Sequence, residues 1–339
     1  MATMTARLSK LELLAHTLDV TGGGRVLRSV RTWNGVLILN YHRIGDPAGS
    51  PFDHDLWSAS VADFEQQVTF LAKNFDVIGL SGLEHALSQS RGQFVMLTFD
   101  DGYRDNYSAA FPILKSHGVS ATFFIATGFI DRPRVPAWDE IAWMLRTTAA
   151  ASIAANEWLP SSVCLAESDR QRTFRRLLAV YKSLGVELTE AYLDFLADAL
   201  GTDRCPPSLA RDQWMTWDML REMQAGGMTF GGHTVNHPIL ANATSDQQDW
   251  EVGECRRRLI EELGQPIDAF SYPNGQRADF NEFTRAALRH HDYRWAFGFF
   301  GGYCPPGHAD HFALCRSAIE TEVDLPRFRA ITTLPQLFS

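Results

Sequence analysis

Short apolar runs alternate along this chain with longer amphipathic stretches. Gly35-Val36-Leu37-Ile38-Leu39-Asn40-Tyr41-His42 predicts a buried strand that ends in a polar cluster. Leu56 to Lys73 places Phe64, Val68, Phe70 and Leu71 near one face and predicts a helix. Phe75 to Leu80, Phe94 to Phe99 and Ala121 to Ala126 predict further strands. Gly82 to Gln89 and Asn106 to His117 predict the helices between them, the second stopped by Gly118. Strand following helix in this way argues for parallel βαβ units.

The alternation then breaks. Trp138 to about Leu209 is helical in pattern and rich in Ala, Leu and Arg. It predicts an insertion, not an independent domain. Afterwards the alternation resumes. Trp217 to Gln224, Ser245 to Leu263 (with Ser245 as N-cap) and Phe280 to Arg289 predict helices. Met228 to Gly232, Ala269 to Tyr272, Tyr293 to Phe297 and Phe312 to Ile319 predict strands. At the N-terminus Leu8, Leu11, Leu13, Leu14 and Leu18 predict an amphipathic helix ended by Gly22-Gly23-Gly24. We expect it to pack on the domain; peripheral contact with a membrane is the other use of such a face. The organisation expected is an N-terminal helical segment, residues 1–34, and an α/β barrel over 35–339 with a helical insertion at about 138–210.

Composition narrows the function. With 339 residues, 45% of them hydrophobic, the chain can bury a large core. A formal net charge of −9 and the lack of a long basic run argue against nucleic acid as a partner. No apolar stretch reaches the ~20 residues of a membrane helix. Residues 1–10 lack the apolar region of a secretory signal. The five cysteines are scattered without Cys-x-x-Cys spacing, which fits a reducing compartment. The expectation is a cytoplasmic protein.

Candidate chemistry falls where strands end. Phe94 to Phe99 runs into Asp100-Asp101-Gly102. Two adjacent carboxylates there can divide the work, one holding a metal and one acting as a base. Gly232 leads into His233-Thr234-Val235-Asn236-His237. On a helical turn, His at i and i+4 face the same way. One Asp and two His make a ligand set for Zn²⁺, or for Co²⁺ or Ni²⁺. Ser271-Tyr272-Pro273-Asn274-Gly275 is a tight turn able to present a backbone N–H to an oxyanion. His42 closes the first strand, and an imidazole suits general acid work near neutral pH. Tyr103, Trp138 and Trp217 add aromatic faces near the rim.

Thr98-Phe99-Asp100-Asp101-Gly102 with His233-Thr234-Val235-Asn236-His237 resembles the polysaccharide deacetylases with the NodB homology domain, carbohydrate esterase family 4. The two stretches match the T-F-D-D-G and H-[S/T]-x-x-H motifs of that family, in its order. Ala121 to Ile125 and Phe270 to Gly275 also look familial. The resemblance spans roughly Val36 to Glu320. It implies a distorted (β/α) barrel of about seven strands. It implies Asp100 as general base, Asp101, His233 and His237 as metal ligands, and Asn274 as the source of the oxyanion N–H.

Two departures stand out. The third motif of the family often opens with an Arg that steadies the base, and here Ser271 stands there. Arg316, in Leu314-Cys315-Arg316-Ser317, supplies that charge in our reading. The late Leu-x-His motif that carries the general acid is not evident; His308 and His311 lie in that region without it. Tyr41-His42-Arg43-Ile44 resembles the arrangement of biofilm poly-N-acetylglucosamine deacetylases, whose acid His sits on the first strand. The expected activity is metal-dependent hydrolysis of N-acetyl groups on the amino sugars of a polysaccharide, or of a lipid-linked or nucleotide-linked glycan precursor. The competing expectations are hydrolysis of another amide, such as a cyclic imide, and an inactive carbohydrate-binding barrel.

Overall fold

The computed structural model describes residues 9–338. Seven parallel strands carry the fold: β1 (Gly35–Tyr41), β2 (Gln93–Phe99), β3 (Thr122–Ile125), β4 (Thr229–Gly232), β5 (Ala269–Ser271), β6 (Trp295–Phe297) and β7 (Ser317–Ala318). They lie in the order β6-β5-β4-β3-β2-β1-β7. The two residues Asp76–Val77 add a short strand beside the start of β2. The sheet curls until its ends almost meet. Leu314 bridges to Phe297 of β6, and Ser317, three residues on, pairs with Leu39 of β1. The last segment therefore closes a distorted (β/α) barrel, with Arg316 at the seam.

Burial explains the strand sequences. All seven residues of β1 are buried, as are most of β2, so both read as unbroken apolar runs. Their register pairs Gly35 with Gln93 through Tyr41 with Phe99. Stacked rings of Tyr41, Phe99 and Phe123, with centroids 5.2 and 4.7 Å apart, fill the layer beneath the strand ends. The same in-phase register sets the residues after each strand side by side. The Asp100 N–H donates to Tyr41 O, and the His233 N–H donates to Ile125 O.

Helices cover the outside. Residues 61–74 and 245–263 form two of them. The second is capped by Thr244 in a capping box with Gln247, one residue before the N-cap expected from the sequence. A C-terminal helix, Leu325–Thr333, is an element the apolar pattern did not reveal. Strand lengths also shorten: of Phe312 to Ile319 only Ser317–Ala318 is strand.

Residues 137–210 hold helices Ala137–Thr147, Arg170–Ser183 and Thr189–Leu200 around a core of their own, with Ile141, Leu145, Leu177, Tyr192 and Leu196. This layer stands over the carboxyl ends of the strands.

The N-terminal stretch differs from its expectation. Leu8 lies outside the described residues. Lys10–Val20 is helical behind a Ser9–Glu12 capping box, and Gly23–Ser29 forms a second helix, so the glycines start a helix as well as ending one. Leu11, Leu13 and Leu14 are exposed, and Ala15 alone of the first helix is buried. The helix docks through polar contacts, Arg329 with Asp19 and His16 with Asp324, both at 2.8 Å. No helix among the described residues is long and apolar enough to cross a membrane.

Gly35 opens β1 at φ +127°, and a Cβ there would collide with the Cys304 carbonyl. Gly35→Ala should therefore lower stability by at least about 2 kcal/mol in urea unfolding. An unchanged midpoint would show that β1 can shift to admit the methyl.

Candidate metal centre and active site

The sheet register brings four strand ends to one rim, and a cavity of about 840 Å³ opens there. His42, Asp100, Asp101, His233, His237, Asn274 and Arg316 all line it. Trp138 lines it too, whereas Tyr103 is fully buried below and Trp217 packs elsewhere, donating to Asp131. His308 and His311 lie away from the cavity; His308 bonds to the Ala313 carbonyl and His311 packs on Trp295.

Asp101 Oδ1 lies 3.4 Å from His233 Nε2 and 3.4 Å from His237 Nε2. That oxygen is buried and accepts no hydrogen bond. His233 places Nδ1 2.7 Å from the Ser271 carbonyl; donating its proton there leaves Nε2 bare. Three ligand-type atoms thus converge. Ligands about 2.1 Å from a shared ion in tetrahedral array stand about 3.4 Å apart, so the set fits a divalent cation. Burial pushes His237 down to about 3, with His233 adding to it, which keeps that ring neutral as a ligand must be. Asp249, His290 and His291 form a second candidate ligand group among the described residues, at the surface and outside this cavity.

The two His do not meet by helical spacing. Residues 233–237 form a loop, not a helical turn. Thr234 (φ +65°) and His237 (φ +59°) adopt the left-handed region and fold the loop back on itself. Thr234 Oγ1 accepts the His237 N–H, and Glu251 accepts the N–H groups of Val235 and Asn236. The rings end 4.7 Å apart. Of the six non-glycine residues with positive φ among the described residues, four (Asp101, Thr234, His237 and Asn274) belong to this site. Such backbone is costly and persists where its surroundings enforce it.

Asp100 is held differently. Arg316 is 1% exposed and grips it with both ends of the guanidinium, Nη1 to Oδ1 at 2.8 Å and Nη2 to Oδ2 at 2.9 Å. Arg316 also donates to Asn40 Oδ1 at 2.6 Å, Ser271 Oγ at 2.8 Å and Gly298 O at 3.1 Å. Ser271 Oγ in turn donates to Asp100 Oδ2. The small Ser271 side chain leaves the space that the guanidinium fills. Burial pushes the Asp100 carboxyl up, but the Arg316 charge outweighs it, and His233 and His42 add to the pull. The net result holds Asp100 far below the usual carboxylate range. Oδ2 is crowded with donors, while Oδ1 accepts from Arg316 alone.

Two further features complete the rim. The His42 ring nitrogens have no hydrogen-bond partner among the described residues, and its backbone is fixed by Ser58 and Asn106. The backbone N–H of Asn274, in a turn at φ +60°, has no acceptor among the described residues. Its side chain is tied to Asp279 and to Lys182 from the helical layer. Sequence reasoning missed Asn40, Glu251 and Lys182. Glu251 had a signal, a lone acid on the inner face of a helix beside Val252, Cys255 and Leu259.

A family model for polysaccharide deacetylase matches residues 88–154 and 167–296, more than half of the chain. YxkH of Bacillus subtilis, assigned provisionally to the polysaccharide deacetylases, is 58% identical over 200 residues, covering 59% of this chain and 42% of that protein. A poly-β-1,6-N-acetyl-D-glucosamine N-deacetylase of Staphylococcus aureus is 33% identical over 110 residues, 29% of this chain and 38% of the relative. The chain thus spans about two fifths of the length of these curated relatives. Among solved structures, the Streptococcus pyogenes deacetylase PplD superposes with a TM-score of 0.58 at 20% identity, over 88% of this chain and 98% of that one. IcaB from Ammonifex degensii superposes at 0.56 and 18% identity, over 89% and 97%. These likenesses establish the shared fold.

Arg316→Met should leave Asp100 as a buried charge without its partner, costing about 3–5 kcal/mol. Burial would then dominate and raise the carboxyl above its unfolded value. The loss should grow as pH rises from 5 to 8, because the native state must then hold the ionised form. Chemical denaturation at the two pH values checks this; a loss that is equal at both would mean Arg316 does not govern the charge of Asp100.

Proposed function

This chain belongs to the polysaccharide deacetylase family, and we propose that it hydrolyses N-acetyl groups on amino sugars of a glycan with the help of a divalent cation. The observation that carries the reading is the pairing of a convergent Asp/His/His set with a separately clamped carboxylate in one cavity. The poly-N-acetylglucosamine deacetylase among the relatives supports a polymeric N-acetylglucosamine as substrate; a lipid-linked or nucleotide-linked precursor gains no comparable support. We take residues 35–339 as the catalytic barrel, with 138–210 inserted into it and 1–34 as a separate segment.

The geometry supports the following roles. Asp101, His233 and His237 would hold the cation, with Zn²⁺ favoured by the nitrogen-rich donor set over Co²⁺ or Ni²⁺. When bound, the ion supplies Lewis acidity, acidifying a water and polarising an acyl oxygen. Asp100 takes the proton of the attacking water on Oδ1. Arg316 stabilises its anion, which makes it a weak base. In return it stays ionised and correctly turned at any physiological pH. Asn274 donates its backbone N–H to the oxygen that gains charge as water adds to the carbonyl. His42 gives a proton to the sugar nitrogen as the C–N bond breaks, releasing acetate and a free amine. Ser271 and Arg316 together supply the steadying contact, which counts against the inactive-barrel reading.

The test is acetate release from β-1,6-linked N-acetylglucosamine oligomers by chelated protein, before and after Zn²⁺, Co²⁺ or Ni²⁺ is restored. Release should return with metal. A folded, metal-loaded sample that releases no acetate from any oligomer overturns the proposal. Asp100→Asn should retain metal after dialysis and lose about 10²–10⁴-fold in kcat; most activity surviving would remove Asp100 from the role of base.

A further inference from the structure

The cavity that holds the triad is also lined by Asp53, 6% exposed. Its Oδ1 accepts the Asp55 N–H, and no donor of the described residues reaches Oδ2. No Lys, Arg or His of the described residues forms an ion pair with it within 4.0 Å; Lys182 and Arg146 act on it only from further off. The other buried acids lining the cavity are all engaged: Asp100 by Arg316, Asp101 by the two His, Glu140 by Arg204, and Glu251 by Val235 and Asn236. Lys182, the cation nearest in this wall, donates to Asn274 Oδ1 at 2.7 Å instead. Asp53 is therefore a buried carboxylate in a substrate cavity with one oxygen left open. Burial is the first cause that lifts its carboxyl to about 6.

Its position is built with care. The Asp53 N–H donates to Asp139 Oδ1 at 3.0 Å, and Asp139 Oδ2 accepts from Tyr103 and Gln213. The Tyr103 hydroxyl accepts the Trp138 Nε1–H at 2.9 Å. Trp138 packs edge-on against His237, centroids 4.7 Å apart, and lines the cavity. One buried network thus holds an indole, an open carboxylate and a ligand of the triad in fixed relation. An indole face suits the C–H face of a sugar ring. A desolvated carboxylate without a counter-ion is best compensated by a cation. On a glycan of amino sugars the group that supplies one is a nitrogen that carries no acetyl.

We propose that Asp53 and Trp138 form a subsite for a neighbouring, already deacetylated amino sugar, whose ammonium pairs with the Asp53 carboxylate; this rests on the deacetylase reading. The protein then favours partly deacetylated chains over fully acetylated ones.

Binding tests this apart from turnover. Calorimetry on His42→Ala protein, which leaves the buried Arg316–Asp100 pair intact, would compare an all-acetyl β-1,6-N-acetylglucosamine trimer with trimers carrying one free amine, on either side of an acetylated residue. One mono-amine trimer should bind about tenfold tighter, the scale of a hydrogen bond to a charged group. Adding Asp53→Asn should bring that ratio to about one, and Asp53→Glu should keep part of it. Equal affinity for all trimers in the His42→Ala protein overturns the subsite, as does a preference that survives Asp53→Asn. Absence of acetate release by the wild type would instead strike the deacetylase reading and leave the affinity ratio interpretable.

Discussion

The buried pair of Arg316 and Asp100 is the contact on which the rest of this architecture depends. Arg316 arrives on the segment that closes the sheet, between the Leu314 bridge to β6 and the Ser317 pairing with β1. Closure of the barrel and neutralisation of Asp100 are therefore one event. Neither charge could be buried alone, since each would lose several kcal/mol of hydration. Together, with Asn40, Ser271 and Gly298 taking the remaining donors, they form a satisfied polar core in an otherwise apolar barrel.

The consequence is a division of labour between neighbouring acids. Asp100 and Asp101 are adjacent in sequence, yet one is tied to a guanidinium and the other looks onto two imidazoles. The left-handed backbone at Asp101 sends their side chains to different partners. Ser271 serves both sides, through its hydroxyl to Asp100 and its carbonyl to His233. Removing it would loosen the Asp100 clamp and misalign the His233 ring together. The helical layer adds a third support, as Asn242 holds the carbonyls of Lys182 and Leu184 while Lys182 reaches Asn274.

Much of the fold was legible because it is local. Unbroken apolar runs gave β1 to β3, and strand ends marked the chemistry. What escaped depends on partners far apart in the chain. The His233 and His237 rings meet through two left-handed residues and Glu251, not through helical spacing, and nothing in five residues encodes that. Arg316 could be suspected only because Ser271 replaced an expected Arg; its grip on Asp100 spans 216 positions. The leucines of the N-terminal helix suggested inward packing, but polar pairs with the C-terminal helix decided its docking. Asp53 carried no sequence signal, since an acid in a loop is ordinarily solvated.

Anomalous diffraction at the zinc edge, from crystals soaked in Zn²⁺, tests the central claim most directly. The account predicts one dominant peak bounded by Asp101 Oδ1, His233 Nε2 and His237 Nε2, with Asp100 still on Arg316 and outside the coordination sphere. A dominant peak at Asp249, His290 and His291, or a zinc ion ligated by Asp100 in place of Asp101, would contradict it.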